Sequence, residues 1–460
     1  MYNKKIIYFI SFGAALAGLL FGIDMGVMSG ALPFIQKSFK LTVFWMEIVT
    51  STMLIGAAFG GLISRWISYR IGRRNSIIWS GAIFVITFLG SAVAPDAIWL
   101  AIIRFVLGVG LEIASFNTPL YLAEISPKEI RGKLTGSYQL MIAIGTIVAF
   151  LSDTLFGSLV ANNFLSPEAG WRIMLAVVAI PAFIMILIVA KIPKSPRWLV
   201  LRGKDDEAVK VLKYIGSKKS KEEVASIKES LIFNKINWRL LLNKNFLYLI
   251  WLGFGLQLIQ QFCCKNTLNY YAPKLFYDMG FHTFQQQMWL TTISVGVVGI
   301  IFTYISMQLV DKYGRKPLLY ISGFLILLGC LMISVAFAPS LHFAYSPFIG
   351  FLAIIVFMMG YGIGYGPVIW VVCAEIFPLQ GRELGMCAVV LTNWIGNFVV
   401  GMVTLSLLQN LGVQKFFILI MIIQVISLIF LKLFLPETKN KSLEEIEKEF
   451  FGKEANAVSK

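Results

Sequence analysis

The residues best able to do chemistry in this chain are charges in places where charge is expensive. The run GLLFGIDMGVMSG, residues 18 to 30, carries one carboxylate, Asp24, among glycines, methionines and aliphatics. A charged acid at the middle of a bilayer costs about 2.5 to 3.5 kcal/mol or more, so it must be protonated or paired. Arg104 is the only arginine well inside an apolar span of the first half. Counting from the outer ends of their spans, near Pro33 and Asp96, places Asp24 roughly 13 Å deep and Arg104 roughly 12 Å deep at 1.5 Å per residue. An ionised Asp24 would be held by Arg104, and a proton on Asp24 would release it. The competing reading is a permanent ion pair that only fixes helix packing.

A second set of charges repeats. Glu124-Ile-Ser-Pro127 followed by Arg131 returns as Glu375-Ile-Phe-Pro378 followed by Arg382, offset by 251, and GRR at 72–74 returns as GRK at 314–316. Arg73, Arg74, Arg315 and Lys316 therefore sit at matching helix ends in two halves. With Glu124, Arg131, Glu375 and Arg382 they suggest a cytoplasmic gate of ion pairs that holds the halves together. The alternative is anchorage of helix ends at the lipid headgroups. No Ser/His/Asp, Cys/His or metal-ligand constellation appears, and no GxxxxGK[ST] phosphate loop, so the chain reads as no enzyme, with no cofactor and no metal. The five cysteines, Cys263, Cys264, Cys330, Cys373 and Cys387, fall in spans and read as small apolar packing residues.

The elements that must position these groups are helices in a membrane. Of 460 residues, 58% are hydrophobic and 14% charged, too little polar surface to cover a water-soluble fold. Twelve apolar runs, from 6–33 to 415–435, are long enough to cross about 30 Å of hydrocarbon. The first is longer than a signal-peptide core and is expected to remain as a helix. Most of the 40 Lys and Arg fall in one set of alternate loops and both tails, whereas the opposite loops hold Lys37, Lys40, Arg172 and Lys415. Both termini are thereby placed in the cytoplasm. The formal charge of +16 then follows from topology and the anionic inner leaflet, and no basic patch interleaved with aromatics points to nucleic acid. The expectation is an all-α integral membrane protein of twelve transmembrane helices, two six-helix bundles related by a parallel repeat. Its boundaries are 1–192 for the first bundle, 193–243 for a cytoplasmic helical linker, 244–436 for the second bundle and 437–460 for a cytoplasmic tail. In such a repeat the substrate site lies at mid-membrane and one bundle rocks against the other.

The segments YLAEISPKEIRGKL, PKSPRWL, LQLIQQFCCKNTLNYYAP, DKYGRKP, GYGPVIWVVCAEIFP and PETKNKSLEEIE together resemble the sugar porter family of the major facilitator superfamily, in order and at the family's spacing. That resemblance implies proton-coupled import of a neutral hexose, pentose or polyol by a monomer in the lipid bilayer, with an aspartate at the position of Asp24 where uncoupled facilitators carry a neutral residue. It further implies sugar contacts at Gln139, Gln260, Gln261, Asn266, Trp370, Asn393 and Trp394. Carboxamides suit this role by offering donors and acceptors to hydroxyls, and an aromatic face suits the C–H side of a pyranose. Two of the departures from the family are charges. Glu112 replaces a small residue and Lys265 an apolar one, at roughly similar depths by the same count, and are expected to pair between the bundles. A facilitative uniporter and a non-transporting sugar receptor are the competing functions.

Overall fold

Backbone N–H and C=O groups find no water inside a bilayer, so long apolar runs form helices that satisfy themselves. The computed structural model describes residues 3–127, 130–217, 219–233, 243–338, 346–378 and 381–435; among these residues it contains helices and no strand. Eleven of its helices are long and apolar enough to cross a membrane. The last, Leu384–Phe434, has 51 residues, which is roughly 77 Å at helical rise and far beyond one crossing. Gly412, at φ 77 and ψ 160, breaks it. The two stretches either side are separate spans, which brings the number to twelve.

The chain divides into two units, and each has its own packing. The first is Met1–Leu41, Thr52–Ser152 and Asn162–Lys235. It contains α1 (Lys4–Phe39), most of α2 (Val43–Ile71), α3 (Arg73–Ala92), α4 (Ala97–Ile125), most of α5 (Arg131–Ala161), α6 (Pro167–Ala176) and α7 (Ala179–Val189). Three short helices follow, α8 (Pro196–Leu201), α9 (Asp205–Tyr214) and α10 (Ser220–Phe233). Asp96 begins α4 by accepting the Trp99 amide at 2.8 Å, and Ser195 begins α8 by accepting that of Trp198 at 3.2 Å; both are ordinary N-caps. Apolar helices in lipid gain little from hydrophobicity and associate through close packing of small residues. Accordingly α1 meets α5 where Gly22 lies against the Ile142 carbonyl, and α4 meets α2 where Gly108 lies against the Met53 carbonyl. Any side chain at either glycine would overlap those oxygens.

The second unit is Thr42–Ser51, Asp153–Ala161 and Ile236–Lys460. It holds α11 (Lys244–Phe262), α12 (Lys265–Asp278), α13 (Phe284–Thr291), α14 (Val298–Tyr313), α15 (Arg315–Ala336), α16 (Ser346–Gly360), α17 (Pro367–Ile376) and α18 (Arg382–Phe434), together with the first turns of α2 and the last of α5. Three of its spans are interrupted. Cys263 and Cys264 separate α11 from α12, with Cys264 at φ 62, a π-turn at Thr292–Val297 separates α13 from α14, and a π-turn at Tyr361–Tyr365 separates α16 from α17. The repeated GR motifs make the same bend in each unit. Gly72 at φ 85 joins α2 to α3 and Gly314 at φ 94 joins α14 to α15, a backbone region that a residue with Cβ enters only at a cost. Four of the five cysteines are buried, as packing residues should be, but Cys387 is exposed on α18.

Candidate functional site

In the first unit α1 and α4 bring Asp24 and Arg104 together. Arg104 Nη1 donates to Asp24 Oδ1 at 3.1 Å, and the two side chains are 0% and 2% exposed. That is the only polar contact either makes among the described residues: Asp24 Oδ2 and Arg104 Nε and Nη2 are buried without partners. A buried pair stabilises a fold only when its geometry is good and its remaining lone pairs and protons are satisfied. This pair is held at a single point, an arrangement easy to release. Glu112 is buried on the same helix, α4, where its Cβ abuts Gly60 of α2.

In the second unit two of the interrupted spans meet, α11–α12 and α16–α17. Gln260, at the end of α11, donates its amide to the carbonyls of Tyr365 at 2.6 Å and Gly366 at 3.1 Å, groups that the π-turn leaves free. The Gln260 Oε1 accepts from Asn393 Nδ2 at 3.0 Å and from Gln261 at 3.4 Å, and Asn393 also donates to Gln257 Oε1 at 2.7 Å. Asn266, just past the break, donates to Asn397 Oδ1 at 2.9 Å and accepts from Asn269 at 3.3 Å. α11, α12 and α18 thus present seven carboxamides in two linked clusters. Trp394 is buried beside Asn393, and Trp370 is half-buried on α17. Gln139 is exposed on α5 of the first unit. Lys265 begins α12 with its ammonium 5.4 Å from the Tyr361 ring centre. Gln257, Asn269 and Asn397 escape the sequence reading, yet Gln257 precedes Gln260 by three and Asn397 follows Asn393 by four, the spacing that puts residues on one helix face.

The charged helix ends close within each unit. Arg73 pairs with Glu124 at 3.0 Å, and Glu124 also accepts from Ser195. Arg315 pairs with Glu375 at 2.7 Å. Arg74 donates to the Val189 carbonyl at 3.1 Å and Lys316 to the Leu435 carbonyl at 2.8 Å, each capping the last long apolar helix of its unit. Arg382 reaches the Phe377 carbonyl at 3.5 Å. The side chain of Arg131 lies outside the described residues.

The family model described as "Sugar (and other) transporter" matches residues 10–450. The chain belongs to the sugar porters of the major facilitator superfamily. Sugar porters are transporters rather than enzymes, and this one is similar over nearly its whole length to proteins of Escherichia coli. It is 39% identical to the galactose-proton symporter of strain K12 over 449 residues, 97% of this chain and 95% of that protein. It is likewise 39% identical to the arabinose-proton symporter of that strain over 458 residues, 98% and 95%. Among solved structures, the xylose transporter XylE from E. coli in a partially occluded inward open conformation superposes with a TM-score of 0.83 at 28% identity, covering 95% of this chain and all of that one.

Proposed function

We propose that this sugar porter carries one neutral monosaccharide or polyol inward with a proton, by alternating access, as a monomer in the inner membrane with both chain ends in the cytoplasm. The observation that carries the reading is the Asp24–Arg104 contact, a buried pair made through a single hydrogen bond. Asp24 takes the proton, and its neutralisation frees Arg104. The amides on α11, α12 and α18, with Gln139, Trp370 and Trp394, take the sugar, exchanging the hydrogen bonds they now make with one another for bonds to hydroxyls. The symport named for the relatives supports coupling here. The Arg73–Glu124 and Arg315–Glu375 pairs, with Arg74, Arg131, Lys316 and Arg382, serve the cytoplasmic gate by fixing helix ends inside each unit. The domain boundaries of the sequence reading belong to the same proposal, as does a charge pairing of Glu112 with Lys265.

The test is uptake of labelled monosaccharides into proteoliposomes with and without an inward proton gradient, for the native chain and for Asp24→Asn. Symport predicts gradient-driven accumulation that the variant loses while it still exchanges sugar. Equal, gradient-independent equilibration by both would instead mark a facilitative uniporter.

A further inference from the structure

Lys265 lies in the interior of the apolar span Lys244–Asp278, more than three helical turns from either end. It is the first residue of α12, directly after the break at Cys263 and Cys264. Its ammonium has three N–H donors, and the one contact it makes among the described residues is with the face of Tyr361, 5.4 Å from the ring centre. An aromatic face attracts a cation but supplies no counter-charge. Glu47 and Glu375 of the same unit are bonded to Ser406 and Arg315, and Asp278 stands at the opposite end of α12. A cation at membrane depth with no fixed anion in its own unit is costly, and ionisable residues kept in such places mark the path of a ligand.

The Tyr361 ring ties this lysine to the carboxamides. Tyr361 opens the π-turn whose Tyr365 and Gly366 carbonyls accept from Gln260, and its ring packs so closely on Gly366 that a Cβ there would lie 3.0 Å from it. The residue after Lys265 is Asn266, whose amide is bonded to Asn397 at 2.9 Å. Lysine and carboxamide therefore leave the chain side by side at one helix break, and the ring beneath the ammonium touches the turn that Gln260 holds. Lysine is a point charge on a flexible four-carbon stem, so it can close on an anion without any movement of the break.

We propose that this site takes a monosaccharide carrying a carboxylate, a uronic acid or related sugar acid, and that Lys265 is the residue that selects it. The amides bond the hydroxyls, and the ammonium meets the carboxylate in a charge-assisted hydrogen bond of about 2.8 Å. A neutral sugar fits the same amides but leaves the ammonium with the ring alone, so the acid is preferred over its neutral counterpart. The inference rests on the carboxamide cluster being the sugar site and extends that reading from neutral sugars to their acids. The charge pairing with Glu112 proposed above is the competing use of the ammonium, and a lysine fixed in that pairing gives the acid no advantage.

The test is equilibrium binding to the purified full chain in detergent, read by isothermal titration calorimetry at neutral pH, which needs neither transport nor a proton gradient. Three ligands of one shape are compared in the gluco and the galacto series: the neutral hexose, the hexuronate and the uncharged hexuronamide. In at least one series the hexuronate is expected to bind about tenfold tighter than the other two, equivalent to about 1.4 kcal/mol. Lys265→Met, or Lys265→Gln should Met fail to fold, is expected to erase that preference while changing hexose affinity by less than about threefold, and Lys265→Arg to keep most of it. Hexose binding with the hexuronate no tighter than the hexuronamide, or a preference that survives without Lys265, would overturn the selection and leave the neutral sugar site standing. Binding of none of these ligands would overturn both.

Discussion

Replacing Asp24 by Asn separates the charge of that residue from its hydrogen bond. Arg104 uses only Nη1, on Asp24 Oδ1 at 3.1 Å, and an asparagine carbonyl in the same rotamer accepts that bond equally. What is lost is the Coulombic part, while a guanidinium at 2% exposure is left with no counter-charge. Removing one partner of a buried pair costs about 3 to 5 kcal/mol; with the hydrogen bond retained, the lower end applies, about 3 kcal/mol. Adding Arg104→Leu removes the stranded charge, so the double variant is expected to regain most of that stability, which thermal unfolding in detergent reads as a shift of melting temperature. Arg104→Leu alone is milder, because Asp24 can take a proton whereas Arg104 cannot lose one. For function, one proton per sugar under a gradient of about one pH unit corresponds to about 1.36 kcal/mol, or roughly tenfold accumulation. Native protein in proteoliposomes is expected to approach that ratio, and Asp24→Asn to stop at an inside-to-outside ratio near one while keeping sugar exchange. Tenfold accumulation by Asp24→Asn would refute the assignment of the proton to this residue. A double variant less stable than Asp24→Asn would refute the electrostatic account of the pair.

Gln260→Ala leaves the Tyr365 and Gly366 carbonyls without their donor and Asn393 with one acceptor fewer; unsatisfied buried groups cost about 1 to 3 kcal/mol each, and KM for sugar exchange is expected to rise at least tenfold. Gly22→Leu, which drives a side chain into the Ile142 carbonyl, is expected to abolish folded protein in size-exclusion chromatography, whereas Ser11→Ala on the same helix, whose buried hydroxyl has no partner among the described residues, is expected to be neutral. If Glu112 and Lys265 act as a charge pair, Glu112→Gln and Lys265→Met each lose transport and the double variant recovers it; additive losses in the uptake assay would dismiss the pair.

Much of the fold is legible because helical rise is fixed. Asp24 and Arg104 can be set at equal depth by counting residues from Pro33 and Asp96, and the counting works because α1 and α4 are continuous over those stretches. The amide cluster is legible only in part. The Gln260, Gln261 and Asn393 positions come through likeness to other sugar porters, but Gln257 and Asn397 are chosen by three-dimensional register around interrupted helices, and a π-turn such as Tyr361–Tyr365 leaves no mark in hydrophobic periodicity. The gate residues are legible through repetition: Arg73 and Arg315, marked by the paired GR motifs, reach Glu124 and Glu375.

The Asp24–Arg104 contact lies wholly in the first unit and, Gln139 aside, the candidate sugar contacts lie wholly in the second. On the proposed assignment of the proton to Asp24 and the sugar to the amides, the duplicated halves would divide the labour, with the twin motifs preserved at the helix ends and the interiors free to diverge. Sugar preference and ion coupling can then be inherited separately. A chimera taking α11 to α18 from the galactose-proton symporter would be expected to adopt that protein's preference among sugars while keeping the proton response set by α1 and α4 of this chain.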